Sequence, residues 1–291
     1  MGIRTKFNLA LFFVFLLGFA VSGAISYELL RRNARAEIVR HAELMMEAAL
    51  AIRGYTVNQV RPHLEAQLAR EFLPQSVPAY AATETLNDIR KKHPDYQYKE
   101  ATLNPTNPRN RAADWEADLV NAFRNARSET REIIGERDTP TGPSLYIARP
   151  IRISNGACLA CHSVPAAAPP TMLKLYGSAN GFNWKLNEVV GAQVVSVPMS
   201  VPIRNAERAF TTFMGSLLAV FVFAFVVLNL MLSWMIIQPI RRMSQAADKV
   251  STGDFAIEEF AEAGKDEISI LGASFNRMRR SLQKAMQMID A

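Results

Sequence analysis

The sequence predicts an α/β module carried between two membrane-spanning helices, followed by two heptad-patterned helices that make a parallel four-helix coiled coil when two chains associate. Three observations carry this prediction. Residues 7–27 and 209–240 contain no charged side chain and are rich in Phe, Leu, Val and Ala. The stretch between them alternates helix-forming segments with Val- and Ile-rich runs. After Pro239, apolar residues recur at steps of three and four.

Each uncharged run is long enough to cross a bilayer core, which takes roughly 20 residues. The chain therefore divides into a short terminus at 1–6, membrane helices at 7–29 and 209–236, an outer segment at 30–208 and an inner segment at 237–291. Ala20, Ser22, Gly23 and Ala24 supply the small residues of a signal-peptide cut. The apolar run is longer than a signal core and leads straight into helix-forming sequence, so a retained anchor is expected. Arg4 and Lys6 are answered by Arg31, Arg32 and Arg35 across the first helix, and Arg204 and Arg208 by Arg241 and Arg242 across the second. Charge alone therefore leaves the orientation open. The formal charge of +6 is spread along the chain with no interleaved basic and aromatic stripe. That excludes a nucleic-acid partner.

After the first membrane helix, Ile38, Ala42, Met45, Ala49 and Ile52 recur at three- and four-residue steps, which predicts a helix continuous with the anchor and apolar on one side. Pro62 is expected to close it and to open a shorter helix reaching about Phe72. A helix over residues 80–92 and a strand over 96–102 follow, then the turn cluster Asn104-Pro105-Thr106-Asn107-Pro108. Trp115, Leu119 and Phe123 share one face of a helix over 111–127. Residues 144–153 and 188–199 read as strands, bounded by Pro or Gly.

Between those two strands lies Cys158-Leu159-Ala160-Cys161-His162, which contains the only two cysteines in the chain. Two thiols at this spacing each form a thioether to a haem vinyl group, and the following imidazole binds the iron. This is the pattern of c-type haem attachment. A structural zinc site needs four Cys or His ligands, and no second pair exists. A thioredoxin-like dithiol opens a helix after a strand, whereas here Pro150, Asn155 and Gly156 precede the motif and Pro165, Pro169 and Pro170 follow it. Covalent haem is the favoured reading and a redox dithiol the alternative. Haem is attached to this motif outside the bacterial cytoplasm, which makes the segment between the helices periplasmic and places both termini inside.

On the inner side, Ile240, Met243, Ala247 and Val250 form one seam, and Ile268, Leu271, Phe275, Met278, Leu282, Ala285 and Ile289 a second, separated by a connector containing Gly253-Asp254. This segment resembles a HAMP relay domain over about residues 237–290. The residues that carry the likeness are Pro239-Ile240, Gly253-Asp254-Phe255, Asp266-Glu267-Ile268 and Phe275-Asn276-x-Met278. The resemblance implies a homodimer that passes a conformational signal from a membrane helix to an output domain.

The outer segment is similar to PAS-like periplasmic c-type haem sensor domains over about residues 33–203. Arg53-x-Tyr55-Thr56, Val77-Pro78, Tyr96-x-Tyr98-Lys99-Glu100-Ala101, the Asn104 to Pro108 cluster, the haem motif, Tyr176-Gly177, Gly181-Phe182-x-Trp184 and Gly191-Ala192 carry that likeness. It implies His162 as one axial ligand of a haem c iron. At least one member takes its second ligand from a cysteine on the helix after the anchor, but no third cysteine exists here. Met45, Met46, His41 and His63 are the candidates in its place, and a vacant position would suit a small gas. Arg53 is a candidate partner for a haem propionate, with a structural ion pair as the alternative. His93 reads as surface, and Asn104 and Asn107 as turn-formers.

The expected function is a sensor in the bacterial inner membrane that detects redox state or a diatomic gas at its haem and signals, as a homodimer, to a separate output protein such as a kinase acting in trans. No catalytic output segment follows the second seam up to Ala291, and no second catalytic constellation is visible, so an enzyme is not expected. The alternative is a membrane-anchored c-type cytochrome for electron transfer, which gives no reason for two phased seams on the inner side.

Overall fold

Helix α1 (Ile3–Tyr55) begins just before the first uncharged run and continues unbroken well beyond it. The computed structural model describes residues 1–126, 130–140, 142–261 and 264–289. The described residues fall into two compact units, one of residues 28–209 and one that joins residues 1–27 to 210 onward. Helices over Ile3–Leu68 and Ser200–Ser251 contain windows long and apolar enough to cross a membrane.

In the first unit, α1 buries Ala34, Ile38, Ala42, Met46 and Ala49. Steps of four advance a buried stripe by about 40° on a helix of 3.6 residues per turn, so the stripe winds around the axis. That winding puts Met46 in the centre, where the sequence pattern expected Met45, and leaves Met45 and Ile52 at the margin. The expected break at Pro62 is a change of winding instead. A π turn over Thr56–Val60 leads into a 3-10 turn over Arg61–Leu64, and α2 (Glu65–Leu68) ends four residues short of Phe72. Proline lacks an N–H and its ring clashes with the carbonyl four residues back, so an undistorted α-helix cannot pass through Pro62. Altered winding on its N-terminal side accommodates the ring.

Helix α3 (Pro78–Lys92) starts with proline in its first turn, where no N–H is required. Strand β1 (Gln97–Thr102) and helix α4 (Asp114–Asn125) follow close to their expected positions. Glu116 in the first turn of α4 accepts from the Ala113 amide at 2.8 Å and pairs with Lys99 of β1 at 2.6 Å, tying the helix to the sheet.

Strands β2 (Ile133–Thr139), β3 (Gly142–Arg152) and β4 (Val189–Pro198) complete an antiparallel sheet in the order β1-β4-β3-β2. The sequence pattern did not reveal β2. As an edge strand it pairs along one side only, and Glu136, Arg137 and Asp138 break up its apolar signal while discouraging a further strand from pairing there. By contrast β4 is central and nearly every residue of it is buried. On one face Leu145, Ile147, Val195 and Val197 pack with Ile38, Ala42 and Met46 of α1 and Leu86 of α3. On the other, Ala148, Ala192 and Val194 pack with Leu119, Val120 and Phe123 of α4. Each fully buried Leu, Ile or Val side chain contributes about 1.5–3 kcal/mol, so these two layers hold the unit together.

In the second unit, Phe15 of α1 stacks on Phe221 of α7 (Ser200–Leu232) at 4.9 Å. Gly23 lies against Met214, a small residue admitting close approach between apolar helices. A π turn over Ser233–Ile237 leads into α8 (Gln238–Ser251) and, after a connector, α9 (Glu267–Ile289). Buried Asn276 straps the connector to α9. Its amide donates to the Phe260 carbonyl at 2.8 Å and its carbonyl accepts from the Phe260 N–H at 3.1 Å. Within the seams, Met243 and Val250 are buried, while Ile240, Leu271, Met278 and Leu282 face outward from the single chain.

Asp266 caps α9 by accepting from the Ser269 amide at 2.7 Å. Hydrogen bonds from the Ser269 backbone and hydroxyl, with a weaker one from Ile268, hold its carboxyl below the usual carboxylate range. A carboxylate depressed by folding stabilises above its unfolded pKa, and that contribution is lost as pH falls through its folded value. Asp266→Ala is therefore expected to fray the first turn of α9, seen as faster hydrogen exchange at the Ser269 and Ile270 amides. Acidification of the wild type below the carboxylate range should do the same, and unchanged exchange in the variant would show that the cap contributes nothing.

Candidate functional site

The connection from β3 to β4 is closed at its base. The Ile153 amide donates to the Glu188 carbonyl at 2.9 Å, the Asn187 amide to the Ile153 carbonyl at 2.8 Å, and the Arg152 guanidinium to the Asn187 carbonyl at 2.9 Å. These bonds make residues 154–187 a loop anchored on neighbouring central strands. Asn155 accepts from the Ala157 amide at 2.9 Å and starts a 3-10 turn over Gly156–Cys158, followed by α5 (Leu159–His162). Cys158 and Cys161 are thus one helical turn apart, on the same side. Both are free thiols, Cys158 exposed and Cys161 half-buried.

His162 Nδ1 lies 2.7 Å from the Gly181 carbonyl oxygen and 3.4 Å from Thr106 Oγ1. A carbonyl only accepts, so Nδ1 carries the proton and the neutral ring keeps its lone pair on Nε2. Burial pushes the imidazolium below the usual histidine range, against the opposing effect of the Gly181 bond, so the ligand-competent neutral form is favoured. The Trp184 ring stacks on the imidazole at 3.9 Å and 14°, and the Trp184 amide donates to the His162 carbonyl at 3.1 Å. Gly181 is required twice over. Its φ is +84°, and a Cβ there would lie 1.9 Å from Thr106 Oγ1. The Gly181-Phe182-x-Trp184 string and the turn holding Thr106 stand out in the sequence, but neither carries there a sign of a role toward His162.

The Cys161 thiol is pushed up, mainly by burial; Arg61 opposes the shift and Cys158 adds to it. Reactive dithiols have depressed values, so this environment is the reverse of an activated one. Cys161 packs beside the cluster of Ala168, Met172 and Phe182, with Phe72, Leu173 and Tyr176 around it. Helix α6 (Pro170–Tyr176) supplies Met172, Leu173 and Tyr176, and Thr171 accepts from the Phe72 amide at 2.8 Å. Met172 was not singled out by its sequence context, a proline-rich loop.

None of the four expected second-ligand candidates belongs to the loop that carries His162. Met46 is wholly buried in the principal core and Met45 packs at the edge of the same cluster. His41 is half-buried on α1, and His63 is exposed on the 3-10 turn. His93 is exposed beside Tyr96, Asn104 is exposed, and Asn107 accepts from the Arg109 amide at 3.2 Å within its turn.

Arg53 pairs with Glu100 of β1, one guanidinium nitrogen reaching Oε2 at 2.6 Å. The Tyr98 hydroxyl donates to Glu100 Oε1 at 2.8 Å, and Gln193 of β4 donates to the Tyr98 hydroxyl at 3.2 Å. Burial works against the Arg53 charge, but the attraction and hydrogen bond of Glu100 outweigh it, with smaller help from Tyr98 and Cys158, and the guanidinium is raised above its ordinary value. Arg53 therefore sits within electrostatic reach of Cys158 while bound to the sheet.

Two free thiols on one side of a turn and an imidazole with its Nε2 lone pair available form a donor set that fits a thioether-bound haem. Among the described residues no group of three or more His, Cys, Asp or Glu side chains is placed to hold a bare metal ion.

Residues 31–198 match the Tll0287-like family model, and residues 231–284 match the HAMP domain. The chain is 32% identical over 94 residues to the heme sensor protein HssS of Staphylococcus aureus strains JH9 and Newman, a match covering 32% of this chain and 20% of each relative. It thus spans about a fifth of the length of those curated relatives. Among solved structures, the crystal structure of the cyanobacterial heme-protein Tll0287 aligns with a TM-score of 0.44 and 18% identity, covering 56% of this chain and 95% of that one.

Proposed function

The chain belongs to the Tll0287-like family, and from that premise we propose that it is a membrane-bound sensor carrying a covalent haem c and signalling through its HAMP domain to an output protein. The observation that carries this reading is His162, fixed by Gly181 and Trp184 with Nε2 free, four residues after Cys158 and next to Cys161. When bound, the haem supplies an iron that changes oxidation state or takes a diatomic gas. Cys158 and Cys161 would hold the group by their sulfurs, and His162 would bind the metal through Nε2. Trp184 and the Gly181 carbonyl keep the ring from turning, as outer partners of a ligating histidine do.

The route out follows the chain. The base of the loop at Asn187 and Glu188 leads directly into β4, the central strand, and β4 leads through Met199 into α7. A shift at His162 is carried by the Trp184 amide to this base and along β4 to the membrane helix. The outer segment faces the periplasm in this reading, the protein works as a homodimer in the inner membrane, and a kinase is the natural recipient of its signal. HssS is named a heme sensor protein, which agrees with this assignment.

Absorption spectra of the full chain, matured with cytochrome c assembly machinery and recorded oxidised, reduced and with carbon monoxide, test the proposal. A c-type spectrum that responds to carbon monoxide supports gas sensing; one that changes only with redox state supports redox sensing. No haem absorption at all would sink both. A relay coupling of about 1–3 kcal/mol corresponds to roughly 40–130 mV in a one-electron potential. Asn276→Ala, which releases the connector from α9, should therefore move the midpoint by that order, whereas a simple electron carrier would show no shift.

A further inference from the structure

We propose that the outward face of α1 at Leu44, Ala48, Ala51 and Tyr55 is a contact between two copies of this chain, made as a parallel pair of helices outside the membrane. The fold does not need this face. The core is served by the other stripe of the same helix, Ile38, Ala42, Met46 and Ala49, all fully buried. Yet Leu44 is 61% and Tyr55 63% exposed, with Ala48 and Ala51 exposed between them. The four positions are separated by steps of four, three and four, the heptad spacing of a two-helix seam. Two alanines in the middle let a second helix approach closely, and the larger side chains at the ends fill the flanks.

The bilayer does not cover this stripe. At 1.5 Å per residue, Leu44 lies about 25 Å along the helix from the end of the uncharged run at Tyr27, with Arg31, Arg32 and Arg35 between. A second copy is the occupant the chain itself specifies. Because α1 is continuous with the first membrane segment, two copies in one bilayer present the seam at the same height and in the same direction, which makes it self-complementary about an axis along the membrane normal. The inner helices independently leave seam residues Ile240, Leu271, Met278 and Leu282 uncovered in a segment matched as HAMP. Charge does not oppose the pairing. The positions flanking the seam are Arg40, Met45, Glu47, Ile52 and Gly54, and Glu47 is already bound by Arg149 at 2.6 Å.

The contact is independent of the haem proposal and is tested in the full chain in membranes. Single cysteines at Leu44, Ala48, Ala51 and Tyr55, with Ala36 and Glu43 as exposed controls about 90–110° around the helix, are oxidised in a Cys158→Ser, Cys161→Ser background and resolved on non-reducing gels. Disulfide-linked dimer at the four seam positions, several-fold above both controls, is the expected result. Equal crosslinking at controls and seam, no dimer at any position, or linkage to a different polypeptide would each overturn the assignment. Since Leu44 and Tyr55 are mostly exposed, replacing them is not expected to unfold the domain, and circular dichroism of the purified variants checks this.

Discussion

Cys158→Ser combined with Cys161→Ser is expected to abolish all haem that survives denaturing electrophoresis, whereas the wild type matured alongside it keeps its stain and the corresponding gain in intact mass. The reasoning is covalent rather than energetic. Thioethers persist when the fold is lost, and these are the only two sulfhydryls in the chain. Each single variant keeps one bond and should retain reduced but detectable stain. His162→Ala separates attachment from ligation. It leaves both sulfurs in place, so covalent haem is retained while the absorption spectrum changes. A wild type without added mass would defeat the assignment, and so would a double variant that stains as strongly as the wild type.

Arg53→Met alone is expected to destabilise the outer unit by about 3–5 kcal/mol, because it strands a buried carboxylate. The Glu100 side chain is 4% exposed and that of Arg53 26%. The arginine therefore keeps some contact with water when its partner is lost, and Glu100→Leu should cost less than Arg53→Met. Replacing both removes the uncompensated charge and should recover most of the loss, since a buried pair exchanged for apolar groups of similar size is often close to neutral. Chemical denaturation followed by near-ultraviolet circular dichroism gives the four stabilities of this cycle. Additive losses would show that the two side chains act independently. The same cycle bears on function, because Arg53 joins α1 to β1 within electrostatic reach of Cys158.

Much of the architecture was legible before any coordinates. The stripe on α1 and strands β1, β3 and β4 lie close to where the sequence pattern put them, with the Cys158 to His162 stretch in the β3 to β4 connection. Strand β2 escaped because Glu136, Arg137 and Asp138 on an edge mask alternation, and Pro62 was read as a break because sequence shows the missing N–H but not the altered turns that absorb it. At the candidate site, Cys158, Cys161 and His162 were legible from their spacing. The Gly181 carbonyl that fixes the ring tautomer was not, nor was the Trp184 plane against it.

The sequence by itself determined what depends on near neighbours along the chain: membrane-length apolar runs, helical periodicity, and two thiols beside an imidazole. Only the tertiary structure decided that His162 meets a carbonyl 19 residues away and a hydroxyl 56 away, and that Arg53 meets a carboxylate 47 away. Periodicity follows from the fixed geometry of successive peptide units, whereas pairing across such separations depends on where closed loops set down their ends, and no local pattern encodes that.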